Sequence, residues 1–386
     1  MAKVINELSL TKELIKIPSV TPIDGGAIAL VARHLKSLGF KCTMLEFKDK
    51  NTPTIKNLYA RIGKTSPNFC FAGHTDVVPA GNIKAWDVGP FSGVVKNGKI
   101  YGRGTSDMKG GIACFIAAVS EFLNDKKKFK GSISFIITGD EESVAINGTK
   151  KVVDYLKKKK EKIDFCLVGE PSNRKVMGQM MKIGRRGSIT TYVTLSGTQG
   201  HVAYPHEACN PSTPLIKILD KLKSMVLDKG NANFQPSNLE ITKMATDSNA
   251  DNVIPSTASA TFNIRFNNKH SYASLKKKIS SVIQSIANKY KCKANIEYSE
   301  TGVAFITKPG KTIQLMSKVI KQITNKTPVL STTGGTSDAR FIKDIAPCVE
   351  FGLVGNTMHK VNECVAVSDL KKLKKIYYKI LESYFH

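Results

Sequence analysis

Strand-like runs of apolar residues alternate with helix-like patterns along the first 180 residues, and this alternation limits the possible folds more than any other feature. Several of the runs carry almost no polar residue, so we expect strands buried on both faces of a sheet. Helices are predicted near 26–38, 109–124 and 147–160. Strands and helices that alternate in this way indicate an α/β layer structure. The predicted strands are Phe40–Phe47, Asn57–Ile62, Asn68–Gly73, Ser132–Gly139 and Phe165–Val168.

Residues 183–298 show a different order of predicted elements. The order is strand, helix, strand, strand, helix, strand, which is the ferredoxin-like α+β pattern and forms a compact unit of its own. After it, a helix at Thr312–Thr324, an apolar strand at Pro347–Gly352 and a final amphipathic helix resume the α/β pattern. The sequence therefore predicts a discontinuous first domain, 1–182 and 299–386, with a second domain, 183–298, inserted into it.

The chain is strongly basic, with 58 Lys and Arg against 31 Asp and Glu and a net charge of +27. Only eight of the basic residues are Arg. Nucleic-acid surfaces use Arg heavily for bidentate phosphate and base contacts, and usually interleave aromatic residues. Because Arg is scarce among the basic residues, we expect no nucleic-acid partner. A basic nucleic-acid-binding protein is kept only as a remote alternative. A weak attraction for an anionic small-molecule substrate remains.

The N-terminal segment and the cysteines indicate the compartment. The first ten residues are polar, without the apolar stretch of a signal peptide, and no apolar run has the length of a membrane span. The eight cysteines are scattered without a Cys-x-x-Cys pair, so neither a disulfide framework nor a thiolate metal site is indicated. We expect a cytoplasmic protein without a membrane partner.

Two of the seven histidines follow apolar strands in positions that suit metal ligands. His74 ends the apolar run of residues 68–73, and Asp76 lies two residues later, where it can share one side of the chain with the imidazole. Metal-bound imidazoles commonly donate their second ring N–H to a carboxylate. His359 lies in a loop after the last apolar strand. Each histidine could equally be a structural one.

Carboxylates occupy similar positions. Asp107 lies in a glycine-rich turn before an apolar helix, Glu141 and Glu142 follow one hydrophobic strand, and Glu170 follows another. A helix-capping Asp and a solvated acidic loop are the alternatives. Imidazole and carboxylate without thiolate suit Zn²⁺, with Co²⁺ or Mn²⁺ as substitutes, and five ligands suffice for two ions if one carboxylate bridges. The candidate ligands are His74, Asp107, Glu142, Glu170 and His359.

With these motifs, the chain resembles the M20 family of metallopeptidases and amidohydrolases along nearly its whole length. The more specific segments occur together in the branch of the family that acts on succinylated diaminopimelate. They are Gly-Arg-Arg-Gly-Ser at 184–188, Gly-His-Val-Ala-Tyr-Pro-His at 200–206, Asn-Val-Ile-Pro at 252–255, Gly-Gly-Thr-Ser-Asp-Ala-Arg-Phe at 334–341 and His-Lys-Val-Asn-Glu at 359–363.

The resemblance implies a zinc-peptidase-like mixed sheet flanked by helices, and a centre with two Zn²⁺ per subunit. His74 and Glu170 would bind one ion, Glu142 and His359 the other, and Asp107 would bridge them. The peptide bond after Asp107 would be cis.

The resemblance also implies the roles of further residues. Glu141 would be the general base, Asp76 the partner of His74, and His201 would reach the site of a second subunit and stabilise the oxyanion. The inserted domain would serve as the dimerisation and lid domain of a homodimer. Residues implied to position the substrate carboxylates are Arg185, Asn252, Arg265 and Thr336.

The implied reaction is hydrolysis of the succinyl amide of N-succinyl-LL-2,6-diaminopimelate, in lysine and peptidoglycan precursor biosynthesis. Deacetylation of acetylornithine, or cleavage of another N-acyl amino acid, is the alternative within the family, and an M20-like protein without activity is a further one. The sequence departs from the family at Gly355, where some members have Asn. Asn356 or a backbone N–H could make that substrate contact instead.

Overall fold

A computed structural model describes residues 4–126 and 129–386 of the chain. The chain forms two compact units, the first from residues up to 184 with 307–331 and 337–386, and the second from 185–306 with 332–336. The helices in the described ranges are α1 (Glu7–Ile15), α2 (Ala27–Ser37), α3 (Gly110–Asp125), α4 (Thr149–Lys158), α5 (Ser212–Ser224), α6 (Tyr272–Lys289), α7 (Lys311–Thr324), α8 (Ala339–Ile342) and α9 (Val367–Tyr384).

The strands vary in length from two to ten residues. They are β1 (Lys41–Phe47), β2 (Ile55–Gly63), β3 (Asn68–His74), β4 (Val95–Lys96), β5 (Lys99–Tyr101), β6 (Ser132–Thr138), β7 (Phe165–Val168), β8 (Met180–Lys182), β9 (Gly184–Arg185), β10 (Gly187–Ser196), β11 (Gly200–His201), β12 (Asn238–Thr246), β13 (Val253–Ile254), β14 (Thr257–Phe266), β15 (Lys293–Gly302), β16 (Phe305–Ile306), β17 (Val329–Ser331), β18 (Cys348–Glu350) and β19 (Cys364–Ala366).

The first unit is built on a mixed eight-stranded sheet in the order β1-β2-β6-β3-β7-β18-β8-β17. Its centre is parallel, because β3 pairs in parallel with both β6 and β7, and β7 pairs in parallel with β18. Every residue of β3 and β6 is buried, as the continuous apolar runs predict. The predicted α/β class, with a mixed sheet and flanking helices, is therefore confirmed.

Aromatic side chains pack the sheet of this unit against its helices. Phe71 of β3 stacks on Phe115 of α3 with ring centroids 4.4 Å apart, and Phe115 also packs edge-on against Tyr377 of α9. Such pairs add about 0.5–1.5 kcal/mol beyond the burial of their surface. The apolar stripe predicted for the last helix is buried from Leu370 to Leu381. This packing fixes α3, and with it the turn that carries Asp107.

The second unit contains the four-stranded antiparallel sheet β12-β14-β10-β15, with α5 and α6 supplying the other half of its core. The strand order and the β-α-β-β-α-β sequence are those of the ferredoxin-like pattern. Along β14 buried residues alternate with half-buried ones, as period-two patterning requires. Helix α6 begins with a capping box in which Ser271 and Ser274 bond reciprocally.

Helix α1 and most of the short strands are not predicted, although the three-residue strand β18 lies within the predicted strand Pro347–Gly352. The nine residues of α1 give few repeats of an apolar spacing, and this helix is stabilised by burial of Leu10, Leu14 and Ile15. Strands of two or three residues, such as β8 and β17, are too short to show a period. All eight cysteines are free thiols. In the described ranges, no helix combines the length and the apolar character that crossing a bilayer requires.

Candidate metal centre

Polar side chains collect at one edge of the first unit's sheet, where the parallel strands end. His74 is the last residue of β3, Glu170 lies two residues after β7, and Glu141 and Glu142 follow β6. The carboxyl ends of neighbouring parallel strands meet at the same edge, which is where α/β folds place ligands. Asp107, in the turn before α3, is the fifth residue of this group.

One group of possible ligands is built around His74, which is buried. Its Nε2 lies 3.2 Å from Oδ1 of Asp107 and 3.8 Å from Oε1 of Glu170. The ligand atoms of these three residues all lie within 4.8 Å of one another, so they could hold one metal ion. The three side chains are almost completely buried.

A second group shares Asp107 with the first. Nε2 of His359 lies 2.9 Å from Oε1 of Glu142 and 3.2 Å from Oδ2 of Asp107. Again all the ligand atoms lie within 4.8 Å of one another. Asp107 thus presents Oδ1 to one imidazole and Oδ2 to the other, which is the arrangement of a bridging carboxylate. The His359 side chain is 45% exposed, so this side is open to solvent.

Packing of Met108 determines where Asp107 lies. The Asp107–Met108 peptide bond is cis, as predicted. The Met108 side chain lies against Gly73 and Gly169, where added Cβ atoms would be 2.4 Å and 2.8 Å from its Cε. Only glycine leaves this room at the ends of β3 and β7, so Asp107 can approach His74 and Glu170. Lys109, which follows Met108, is buried and donates to the Ile17 carbonyl.

Asp76 lies beside His74, but the two residues are joined through the backbone. Nδ1 of His74 is 3.0 Å from the Asp76 carbonyl oxygen and 3.6 Å from the nearer carboxylate oxygen. The carboxylate instead accepts from the backbone N–H groups of Glu141 and Glu142, at 3.2 Å and 2.9 Å. Asp76 therefore orients the imidazole and also holds the segment that carries Glu141 and Glu142.

The three consecutive carboxylates after β6 have different surroundings. Asp140 turns inward and accepts from the N–H groups of Ile146 and Asn147, so it shapes the loop. Glu142 joins the second ligand group. Burial raises the pKa of Glu141 well above its usual value, although the charge of His74 opposes this. A raised pKa suits a group that must accept and then return a proton.

Electrostatics at the centre favour cations. Burial raises the pKa of Glu170, and the charge of Asp107 raises it further. Burial alone would lower the pKa of His74, but its hydrogen bond to Asp107 and the charges of Asp76 and Glu170 raise it well above its usual value. The hydrogen bond to Asp107 raises the pKa of His359 to about 10. Crowded carboxylates keep neighbouring groups protonated in this way. Bound metal ions would supply positive charge in place of those protons.

All four residues implied to bind the substrate carboxylates belong to the second unit. Three of them, Arg185, Arg265 and Thr336, lie near one another. Arg185 donates to the carbonyl oxygen of Gly335, at 2.7 Å, next to Thr336. Burial lowers the pKa of Arg265, and the neighbouring charges of Arg186 and Arg185 lower it further. Like charges gathered in this way suit an anionic ligand.

His201 and Asn252 form a separate pair in the second unit. His201 of β11 pairs with Val253 of β13, and the carbonyl of Asn252 accepts from the Val202 N–H at 3.1 Å. The His201 and Asn252 side chains are exposed, and Nδ1 of His201 accepts from the Ala203 N–H. The His201 side chain therefore stands on the surface of the unit, available to another molecule.

The departure at Gly355 has a packing explanation. A Cβ at this position would lie 3.0 Å from Cβ of Pro171 and 3.1 Å from Sδ of Met358. Both distances are shorter than ordinary contacts, so an Asn side chain would require its neighbours to move. Asn356, the next residue, is exposed. Its contact with substrate stays a prediction.

Sequence reasoning assigned no function to Glu363 and Arg103, which form a buried ion pair with Nη1 and Oε2 2.7 Å apart. In the sequence, Glu363 is a charged residue directly before the apolar strand β19, and this was the signal that could have drawn attention to it. The pairing itself was not predictable, because the two residues are 260 positions apart.

Comparisons with known proteins identify the family of this chain. Residues 70–383 match the family described as Peptidase family M20/M25/M40. Succinyl-diaminopimelate desuccinylase of Pelagibacter ubique (strain HTCC1062) is 61% identical over 380 residues, covering 98% of this chain and 99% of the relative. The protein of the same name from Rhodospirillum centenum is 50% identical over 378 residues, covering 98% and 97%.

The fold is shared with solved structures of low sequence identity. The M20 family metallo-carboxypeptidase Sso-CP2 from Sulfolobus solfataricus has a TM-score of 0.79 at 20% identity, covering 98% of this chain and 99% of that one. Aminopeptidase PepT from Bacillus cereus has a TM-score of 0.78 at 19% identity, with the same coverage. Because the family and its relatives match almost the full length of the chain, the chain belongs to peptidase family M20/M25/M40.

Proposed function

We propose that this chain hydrolyses the succinyl amide of N-succinyl-LL-2,6-diaminopimelate, releasing succinate and LL-2,6-diaminopimelate in lysine and peptidoglycan precursor biosynthesis. The structural observation that carries the proposal is the pair of ligand groups that share Asp107. Glu141 lies close enough to interact with the charges of His74 and Asp107. The relatives that are 61% and 50% identical, over 99% and 97% of their own length, bear the name of this activity.

The donor set fits two Zn²⁺ ions, for which Co²⁺ or Mn²⁺ can substitute. His74 and Glu170 would hold one ion, His359 and Glu142 the other, and Asp107 both. Imidazole nitrogen and carboxylate oxygen without thiolate are the ligands of catalytic zinc, where an open position must remain for substrate. The exposed His359 provides such an open side.

In the proposed reaction, Glu141 moves the proton. Two ions bound here would polarise the amide carbonyl and lower the pKa of the attacking water. Glu141 takes the proton of that water and then delivers it to the leaving amine, because an amine leaves more easily as the neutral molecule. Asp76 accepts from the backbone N–H groups of both Glu141 and Glu142, and it therefore fixes the backbone that carries Glu141.

The substrate has three carboxylates and one ammonium group, hence a net charge of about −2 at neutral pH. Guanidinium groups bind planar carboxylates through two parallel hydrogen bonds, which Lys cannot do. Arg185 and Arg265 would bind these carboxylates with Thr336, and Asn252 and Asn356 would add neutral contacts.

Replacement of Arg265 by Met is expected to raise KM for the succinylated substrate by about 10–100-fold, the loss of one charge-assisted hydrogen-bonding group. Steady-state kinetics would measure it. Arg33→Met is the matched control, because Arg33 is exposed, pairs with Glu13 and lies outside this cluster of arginines. An unchanged KM for Arg265→Met would remove Arg265 from the substrate site.

We further propose that the ferredoxin-like unit serves as the dimerisation and lid domain of a cytoplasmic homodimer. His201 would then reach the centre of the second subunit and stabilise the oxyanion. Its exposed side chain supports this proposal. Loss of one such donor typically slows turnover about 10²–10³-fold.

A side-by-side assay tests the choice of substrate. Succinate release from N-succinyl-LL-2,6-diaminopimelate should exceed acetate release from N-acetylornithine by orders of magnitude in kcat/KM. The reverse order would identify a deacetylase that uses the same metal centre. Activity on neither compound would exclude both assignments.

A further inference from the structure

The buried ion pair of Arg103 and Glu363 has no place in the mechanism above. Its side chains are only 3% and 0% exposed. A buried ion pair is costly to desolvate and is poor evidence for stability alone. Its other contacts therefore indicate what it contributes.

Glu363 holds the backbone on which Asp107 stands. Its Oε2 pairs with Arg103, while Oε1 accepts from the Ser106 N–H at 2.9 Å and from the Asp107 N–H at 3.3 Å. Oε1 also accepts from the Ser106 hydroxyl, at 3.0 Å. One carboxylate thus fixes the two peptide units at the bridging residue.

Arg103 holds the backbone on which His359 stands. Its Nη1 donates to the Lys360 carbonyl at 3.1 Å, and its Nη2 donates to the His359 carbonyl at 3.5 Å. His359 has a φ of +62°, a left-handed conformation that residues with a side chain rarely adopt, so its backbone needs external support. The guanidinium also lies over the Trp86 ring, 5.3 Å from its centroid.

We propose that Arg103 and Glu363 are positioning residues, which set the separation of Asp107 and His359 and thereby the affinity of the second metal ion. The guanidinium fork reaches the Glu363 carboxylate and two carbonyls of the His359 loop together, which a Lys ammonium cannot do in the same geometry. The group on the His74 side shares Asp107 but does not use His359, so of the two groups it is the less dependent on this pair. The inference rests on the proposed function, since it refines that metal centre.

To test this, metal-free protein is titrated with Zn²⁺, and binding is followed by calorimetry. A second titration uses Co²⁺ and is followed by visible absorption. In Arg103→Lys and Glu363→Gln, we expect affinity for the second ion to fall about 10–100-fold, the usual effect of removing a group that orients a ligand. The first ion should lose less affinity than the second, because its group shares Asp107 but does not use His359. At a fixed Zn²⁺ concentration kcat should fall while KM changes little, and excess Zn²⁺ should restore part of kcat.

Two further variants separate positioning from stability. Arg103→Met combined with Glu363→Met removes both charges together, so neither charge stays buried without its partner. The second-ion affinity should remain low even when this protein is as stable as the native one. The ion pair of Arg61 and Glu161, which belongs to the same unit but not to the ligand loops, provides the control Glu161→Gln, with native metal binding.

Native affinity and an unchanged Co²⁺ spectrum in Arg103→Lys, or recovery of metal affinity together with stability in the double Met variant, would overturn the inference. Failure of the native protein to bind a second ion would instead overturn the proposed function. The two failures are therefore distinguishable.

Discussion

Glu141→Gln should keep two metal ions and lose turnover by about 10²–10⁴-fold, the contribution of a positioned general acid–base group. Gln has the shape of Glu but cannot take up a proton. Glu141 belongs to neither ligand group, so metal binding should not change. Elemental analysis and succinate release, measured on the same preparation, would check both expectations.

The neighbouring residue supplies a matched control for this variant. Asp140→Asn removes a carboxylate that accepts from backbone N–H groups of its own loop, those of Ile146 and Asn147 among them, and that belongs to neither ligand group. It should lower stability and leave turnover per folded molecule close to native. If Glu141→Gln remained substantially active, the proton would have to move through another group.

Asp107→Ala should abolish tight binding of both metal ions, because both ligand groups share this carboxylate. His359→Ala removes a ligand from one group only, so the metal content should fall from two ions toward one. Turnover should fall about as far as in Glu141→Gln, since the reaction needs the pair of ions.

Metal content by elemental analysis and calorimetric titration would measure this difference. His34→Ala is the control, because His34 bonds Glu13 on the surface and lies in no ligand group. Two tightly bound ions in Asp107→Ala would show that the carboxylate does not bridge them.

The sequence predicts the layers of this fold well, since long apolar strands and long helices carry many repeats of their period. Strands β3 and β6 and helices α6 and α9 are examples. The same reasoning misses α1 and most strands of two or three residues, where tertiary contacts rather than local pattern decide the structure. Strand β18 is an exception, because its apolar run is visible in the sequence.

For the site, sequence position alone brings His74 and Glu170 to one edge, because β3 and β7 end there. It cannot show that Asp107 presents one oxygen to each imidazole, since this depends on how Met108 packs between two glycines. Nor can it show that Asp76 bonds His74 through its carbonyl. The partner of Arg103 is 260 positions away and becomes visible only in the folded chain.

A titration of the metal-free protein shows whether this chain is a two-metal desuccinylase. Metal-free protein is titrated with Zn²⁺ while succinate release from N-succinyl-LL-2,6-diaminopimelate is followed. We predict no release without metal, and release that rises to a plateau as two ions bind per subunit. Succinate release that is undiminished after the metal has been removed, or no release with both sites filled, would contradict the account.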